Sequence, residues 1–132
     1  MNGNVKVLVV ENEMPVAMMV VSVLTRIGFT VQVATKARKG LEIAQEQKFD
    51  LILLETNSPA ISGLKLCAEL RQRHISYRTP IICVSAQCGD EYREQALENG
   101  AVDDITKPLR ASEFVPRILS YVRQAEEVSA SD

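Results

Sequence analysis

The chain has 132 residues, of which 46% are hydrophobic and 24% are charged. This length and composition predict one globular domain with a core of ordinary size and leave no room for a second folded domain. The net charge of −2 provides no general positive field. We therefore expect neither nucleic acid nor a membrane surface as a partner of this chain.

The sequence contains no segment typical of membrane insertion or secretion. No apolar run approaches the roughly 20 residues that span a bilayer, and the N-terminal MNGNVKV lacks a basic region followed by a long apolar stretch. Cys67, Cys83 and Cys88 lack paired spacing, which favours reduced thiols over disulfides or a zinc site. Cys83 is predicted to lie in the core, whereas Cys88 leaves redox sensing open. A cytoplasmic protein is expected.

In chain order, apolar runs rich in β-branched residues alternate with amphipathic stretches, a rhythm that predicts five βα units around a parallel sheet. The run before Glu55 is continuously apolar, as in a strand buried on both faces. The predicted strands are Val5–Val10, Thr30–Ala34, Leu51–Leu54, Pro80–Ser85 and Val102–Ile105.

Five amphipathic segments predict helices. Pro15 suits the first turn of a helix and Gly28 the position just after its end. The fourth helix has only Ala96 and Leu97 as apolar anchors, and Pro116 must bend the fifth or mark a later start. The predicted helices are Pro15–Ile27, Ala37–Gln47, Leu64–Arg73, Glu91–Asn99 and Ala111–Gln124. Residues 1–124 form the predicted domain, and residues 125–132 a flexible tail.

Polar side chains follow four of the predicted strands where each strand ends. They are Glu11-Asn12-Glu13, Glu55, Ser85 and Thr106-Lys107. Right-handed crossovers bring the carboxyl ends of parallel strands to one edge of the sheet, where ligands bind in open α/β folds. We therefore expect two or three acids, a hydroxyl and a lysine to converge there.

Such a set provides what phosphoryl transfer to a carboxylate requires, namely acids for Mg²⁺, a carboxylate nucleophile, and a hydroxyl and lysine for the phosphoryl oxygens. In VKVLVVENE, FDLILLETNSPAISG, PIICVSA and DDITKPL, the chain resembles the receiver domain of two-component response regulators along nearly its whole length. The resemblance implies a flavodoxin-like (βα)5 fold with strand order 2-1-3-4-5.

The resemblance also implies roles for single residues. Glu11 and Asn12 match the acidic pair that, with Glu55, would hold the metal. Glu55 stands at the phosphoacceptor position, where the family has aspartate. Ser85 matches the switch hydroxyl, and Lys107 the lysine that pairs with phosphate.

Two of these positions depart from the family pattern. Asn12 replaces a charged ligand with a neutral carbonyl, so we expect Mg²⁺ binding to be weak or lost. The extra methylene of Glu55 moves the carboxylate toward Lys107 and misaligns in-line attack. Glu55 could then pair with Lys107 and accept a hydrogen bond from Ser85 without phosphate, as an imitation of the phosphorylated state. Asp104 stands where the family often has an aromatic, and we expect it to be exposed.

Each site residue also has a simpler interpretation. Glu11 and Asn12 could cap the first helix, and Glu55 could be a solvated loop acid. Lys107 could be a structural partner of Glu55 or Glu11, and Ser85 could merely start the next loop.

Two functions are compatible with this pattern. The first is a phosphorylation-independent pseudo-receiver, not an enzyme, that docks a protein through its fourth helix, fifth strand and fifth helix. That protein would be a histidine kinase, an effector or a second copy of the chain. The second is a working receiver that takes phosphate onto Glu55 from a histidine kinase or a small phosphodonor. A different flavodoxin-like ligand-binding domain is disfavoured because ENEMPVA contains no glycine-rich phosphate loop.

Overall fold

The computed structural model describes residues 5–56, 63–72, 78–86 and 90–131. Strands and helices alternate along the chain, and each begins within one residue of its predicted start. The strands are β1 Lys6–Val10, β2 Thr30–Ala34, β3 Leu51–Glu55, β4 Ile81–Ser85 and β5 Asp103–Thr106. The helices are α1 Met14–Arg26, α2 Ala37–Glu46, α3 Gly63–Arg71, α4 Asp90–Glu98 and α5 Ala111–Ser131. The loop that contains Cys88 and the predicted helix residue Arg73 lie outside the described residues.

The strands form one parallel sheet in the order β2-β1-β3-β4-β5, which confirms the predicted flavodoxin-like topology. Alternate side chains of the central strands enter two apolar clusters, one on each face of the sheet. One cluster includes Leu8 and Leu54 and is covered by α2, α3 and α4. The other includes Val9 and Leu53 and is covered by α1 and α5. Because both faces are covered, the apolar runs are continuous rather than alternating.

Two glycines meet geometric requirements that another residue would not. Gly28 follows α1 with a φ of +97°, in the left-handed region where a side chain is strained. Gly40 brings α2 close to β1, because a Cβ there would lie 2.7 Å from Val10 Cγ2. Since Val10 directly precedes Glu11, this close packing helps to fix the strand end that carries the first predicted site residue.

Helices α4 and α5 differ from prediction in detail. Ala96 is buried, but Leu97 is 40% exposed, so the prediction that both anchor α4 is wrong for Leu97. Helix α5 begins at Ala111 and continues through Pro116 to Ser131, whereas the sequence predicted a flexible tail after 124. No glycine or further proline follows Pro116 to stop the helix.

None of the described helices combines the length and the apolar character that crossing a lipid bilayer requires.

Candidate functional site

Lys107 lies at the centre of a cluster of carboxylates at the carboxyl edge of the sheet. Its Nζ is 2.9 Å from Glu55 Oε1, 3.1 Å from Glu11 Oε2 and 3.1 Å from Glu13 Oε2. Its backbone N–H donates to the carbonyl of Ser85 at 2.8 Å, and a cis peptide bond joins it to Pro108. The structure thus brings together the strand ends that the sequence placed at one edge.

The two acids nearest to Lys107 are both buried. Glu55 is the last residue of β3 and is 6% exposed, so its interpretation as a solvated loop acid is wrong. Glu11 follows β1, is 4% exposed, and is held by its backbone N–H, which donates to Ala34 at 3.0 Å. Buried carboxylates need charged or hydrogen-bonding partners, and Lys107 supplies both. Glu13 is exposed, and the sequence analysis did not identify it as a partner of Lys107.

The pKa values of the two buried acids are shifted in opposite directions. Burial raises the pKa of Glu11 to about 7, opposed by the backbone N–H of Glu13 and reinforced by the neighbouring Glu55. Burial also disfavours the charged form of Glu55, but hydrogen bonds from Lys107 and Glu11 outweigh it and lower the pKa of Glu55. The three acids hold the pKa of Lys107 above its usual value despite burial. Near neutral pH, Glu55 and Lys107 are therefore the charged pair, and Glu11 is partly protonated.

Asn12 does not cap the first helix. Its side chain is exposed, and its backbone N–H donates to Glu55 Oε2 at 3.3 Å. The residue before α1 is Glu13, whose backbone N–H donates to Glu11 Oε2 at 3.0 Å, without a side-chain cap. The simpler interpretation of Asn12 as the cap of the first helix is therefore wrong.

The carboxylates of Glu11 and Glu55 offer the hard oxygen donors that Mg²⁺ prefers. The ammonium of Lys107, however, lies within 3.1 Å of both carboxylates and already provides a positive charge beside them. Within the described ranges, no cluster of three or more acidic, histidine or cysteine side chains is arranged to hold a metal. A Mg²⁺ held by Glu11, Asn12 and Glu55 would therefore share both of its carboxylates with the Lys107 ammonium.

Ser85 and Asp104 form a second polar contact beside this cluster. Ser85 is the last residue of β4 and is fully buried, so it does not merely begin the next loop. Its hydroxyl donates to Asp104 Oδ2 at 3.3 Å. Asp104 is only 9% exposed, and the prediction that it would be exposed is wrong. The physical reason is that Ser85, 19 residues earlier in the chain, provides a polar partner inside the fold.

Asp103 joins β5 to the two helices that flank it, and the sequence analysis did not identify this role. Arg93 in α4 donates to Asp103 Oδ1 at 2.6 Å. From α5, the Tyr121 hydroxyl donates to Oδ2 at 3.2 Å, and Arg117 lies 3.7 Å from the same oxygen. Helical spacing could have indicated that Arg117 and Tyr121 share one face of α5, but their partner on β5 has no local signal.

Comparisons with known proteins agree with this architecture. The chain is 32% identical over 127 residues to the response regulator ArlR of Staphylococcus saprophyticus, an alignment that covers 96% of this chain and 56% of that protein. The chain therefore spans about half the length of the curated relatives it matches.

Solved structures share the fold. A CheY-like response regulator receiver domain protein from Methanospirillum hungatei superposes with a TM-score of 0.86 at 21% identity, covering 92% of this chain and 96% of that one. The receiver domain of a sensor histidine kinase from Pseudomonas aeruginosa, with a magnesium ion coordinated in its active site cleft, has a TM-score of 0.82 at 24% identity and covers 92% and 98% of the two chains.

A parallel five-stranded sheet with acids, a hydroxyl and a lysine at its carboxyl edge defines a flavodoxin-like domain with a polar site where such folds bind ligands. The model of the response regulator receiver domain matches residues 7–119, so the chain belongs to the receiver domain family of two-component response regulators.

Proposed function

We propose that this receiver domain signals without being phosphorylated, and that it acts by docking a protein partner in the cytoplasm rather than as an enzyme. The observation that carries the proposal is the 2.9 Å hydrogen bond between Lys107 Nζ and Glu55 Oε1. A lysine that would pair with a phosphoryl group is engaged by the carboxylate at the phosphoacceptor position. The site reaches this paired arrangement with no added phosphate.

The chemistry of the site supports the same proposal. Glu55 is buried and its carboxylate is held against the Lys107 ammonium, which does not orient it for in-line attack on a phosphodonor. Asn12 offers no charge to a metal, and the Lys107 ammonium competes electrostatically for Glu11 and Glu55. Any Mg²⁺ would bind weakly and without the geometry that in-line transfer needs.

Glu55 would act as a permanent imitation of a phosphorylated aspartate. Its longer side chain brings a negative charge to Lys107, as an aspartyl phosphate would. One carboxylate carries less charge than a phosphoryl group, and Glu13 together with the ionised fraction of Glu11 adds negative charge around the ammonium. The domain would then remain in one signalling state.

The test is the intact mass of the protein after incubation with Mg²⁺ and acetyl phosphate. We expect no phosphate-sized gain in the natural chain and a gain in the double variant Asn12→Asp with Glu55→Asp. The variant Asn12→Asp with Glu55→Asn is the matched control, because it restores the acidic pair but lacks a phosphoacceptor. A stoichiometric gain in the natural chain that disappears on chelation would overturn the proposal and favour a working receiver that takes phosphate onto Glu55.

The proposed docking surface consists of α4, β5 and α5. The exposed charged residues of α4 are acidic except for Arg93, and the exposed charged residues described at 110–123 are basic except for Glu113. The acids are Asp90, Glu91, Glu94 and Glu98, and the bases are Arg110, Arg117 and Arg123. Among the partners considered, a histidine kinase, an effector or a second copy, this charge distribution favours a second copy, whose α4 would face α5 across a twofold axis.

A charge exchange tests this arrangement. Glu94→Arg and Arg123→Glu should each weaken self-association in sedimentation equilibrium, whereas the double variant should restore it because the pair is rebuilt across the interface. Self-association that Glu94→Arg and Arg123→Glu leave unchanged would exclude this surface. A monomer at all concentrations would leave a different protein as the partner of the domain.

A further inference from the structure

Two cysteines meet in the core between α3 and β4. Cys67 lies on α3 and Cys83 in the middle of β4, and both are fully buried. Both belong to the apolar cluster on the face of the sheet that α2, α3 and α4 cover, whereas Ile82 faces the other side. Their thiols are free and are hydrogen-bonded to each other. The packing of α3 on the sheet therefore creates a dithiol that the spacing in the sequence does not indicate.

A cation lies beside this dithiol. Arg71 follows Cys67 by one helical turn, so the two side chains share one side of α3. The Arg71 guanidinium interacts electrostatically with both sulfurs. Its Nε donates to the carbonyl of Gly100 at 2.7 Å, and any side chain at Gly100 would collide with Arg71. The arginine is thus held where its positive charge acts on the buried thiols.

The two thiols differ in how easily they ionise. The hydrogen bond from Cys83 lowers the pKa of Cys67, and the positive charge of Arg71 lowers it further, against the effect of burial. The pKa of Cys83 is raised, because Cys83 donates this hydrogen bond and because it is buried. Cys67 is therefore the thiol that more readily becomes the nucleophilic thiolate, and Cys83 retains its hydrogen beside it.

We propose that Cys67 and Cys83 form a redox-active dithiol that hydrogen peroxide converts to a disulfide between α3 and β4. The Cys67 thiolate attacks one peroxide oxygen, the O–O bond breaks, and the leaving hydroxide takes up the proton that the Cys67 thiol has released. Cys67 is then a sulfenic acid. The Cys83 sulfur attacks the Cys67 sulfur, the S–O bond breaks, and the hydroxide leaves as water with the Cys83 proton. The two thiols lose two electrons, and the peroxide is reduced to two waters.

The burial of the dithiol determines which oxidants can reach it. Helix α3 and the sheet cover both sulfurs, so a reagent reaches them only when the structure opens locally. A small opening admits hydrogen peroxide but excludes a bulky thiol reagent. Because Cys83 is already in contact with Cys67, disulfide formation competes well with further oxidation of the sulfenic acid.

The test uses the full chain with Cys88→Ser, so that Cys67 and Cys83 are the only thiols. The folded protein is treated with hydrogen peroxide in the absence of denaturant, and its intact mass is measured. We expect the loss of two hydrogens, about 2 Da, which dithiothreitol should reverse. Digestion with trypsin should release the peptide 66–71 linked to the peptide 79–93.

Two further variants serve as controls for the pair. Cys67→Ala and Cys83→Ala, each in the Cys88→Ser background, should abolish the loss of hydrogen, and either one is sufficient if the other fails to fold. An unchanged mass, a gain of oxygen without loss of hydrogen, or a disulfide that forms only after urea is added would overturn the proposal. The test requires no phosphodonor and no partner, so its result is independent of the proposed function.

Discussion

The Nζ of Lys107 lies 2.9 Å from Glu55 Oε1, although 52 residues separate the two in sequence. The bond joins the end of β3 to the residue after β5, across the end of β4. It is partly buried, with Lys107 13% and Glu55 6% exposed. A charged pair in this position stabilises the fold only while both members are present.

Replacing Lys107 should therefore destabilise the domain. Lys107→Met keeps most of the side-chain volume but leaves Glu11 and Glu55 buried without their cation. We expect a loss of about 2–4 kcal/mol in the free energy of unfolding, measured by urea denaturation near neutral pH. Lys39→Met, at an exposed position of α2, is the control. Equal losses in the two variants would show that the ion pairs contribute little.

The raised pKa of Glu11 predicts a pH dependence of stability. A carboxyl group whose folded pKa, about 7, lies above its usual value of 4.5 binds more protons in the folded state. Its contribution is fully present below about pH 4.5 and is lost as the pH rises through 7. Glu11→Gln removes this pH-dependent contribution to stability. As the pH rises from 5 to 8, the free energy of unfolding of the variant should increase by about 2 kcal/mol relative to that of the natural chain.

The measurement is urea denaturation of both proteins across this pH range. Glu13→Gln is the matched control, since it removes an exposed carboxylate that binds the same ammonium. A Glu11→Gln variant that follows the natural chain in parallel at every pH would contradict the prediction.

The close packing of α2 on β1 predicts that the two special glycines respond differently to alanine. Gly40→Ala places a Cβ against the buried side chain of Val10, and overpacking should cost about 1–3 kcal/mol in unfolding free energy. Gly28→Ala meets no atom within 4 Å but keeps a positive φ, which should cost about 1 kcal/mol.

Amide chemical shifts distinguish these two effects. Gly40→Ala should change the shifts of Val10 and Glu11 because β1 has to adjust, whereas Gly28→Ala should leave both unchanged. Identical shift patterns in the two variants would argue against close contact between α2 and β1.

The burial pattern of α4 and α5 predicts a large loss of stability when one side chain is shortened to alanine and almost none for another. Ile118 of α5 is fully buried against the sheet, so Ile118→Ala should lose about 2–5 kcal/mol of unfolding free energy. Leu97 is exposed on α4, so Leu97→Ala should change stability by less than about 0.5 kcal/mol. Thermal and urea denaturation measure both. A large loss from Leu97→Ala would mean that this side chain is buried in solution.

Much of the fold could be predicted because its signals are local. The continuous apolar runs identify β1, β3 and β4, and the polar residues that end them identify the edge where Glu11, Glu55 and Ser85 meet. Parallel topology then brings Lys107 to the same edge. The burial of Asp104 could not be predicted, because an acid is ordinarily exposed unless a partner lies nearby.

The partners of the acids on β5 are distant in sequence. Ser85 belongs to β4 and Arg93 to α4, and nothing in the neighbourhood of Asp103 or Asp104 indicates that they would meet. Glu13 was placed at the same edge of the sheet, but its contact with Lys107, 94 residues away, was not predicted individually. The length of α5 was underestimated because residues 125–132 are mostly small or polar. None of these residue types prevents a helix, however.

The pairing of Asp103 with residues from both flanking helices also affects the exposed edge of the sheet at β5. Strand β5 lies at the edge of the sheet and has a neighbouring strand on one side only. Open edges of this kind invite pairing with strands of other molecules, which leads to aggregation. Here the side chains of Arg93 and Arg117 converge on Asp103, one from each face of the sheet. An incoming strand would have to displace or bury these charges, so the edge that carries the acids is protected against extension of the sheet.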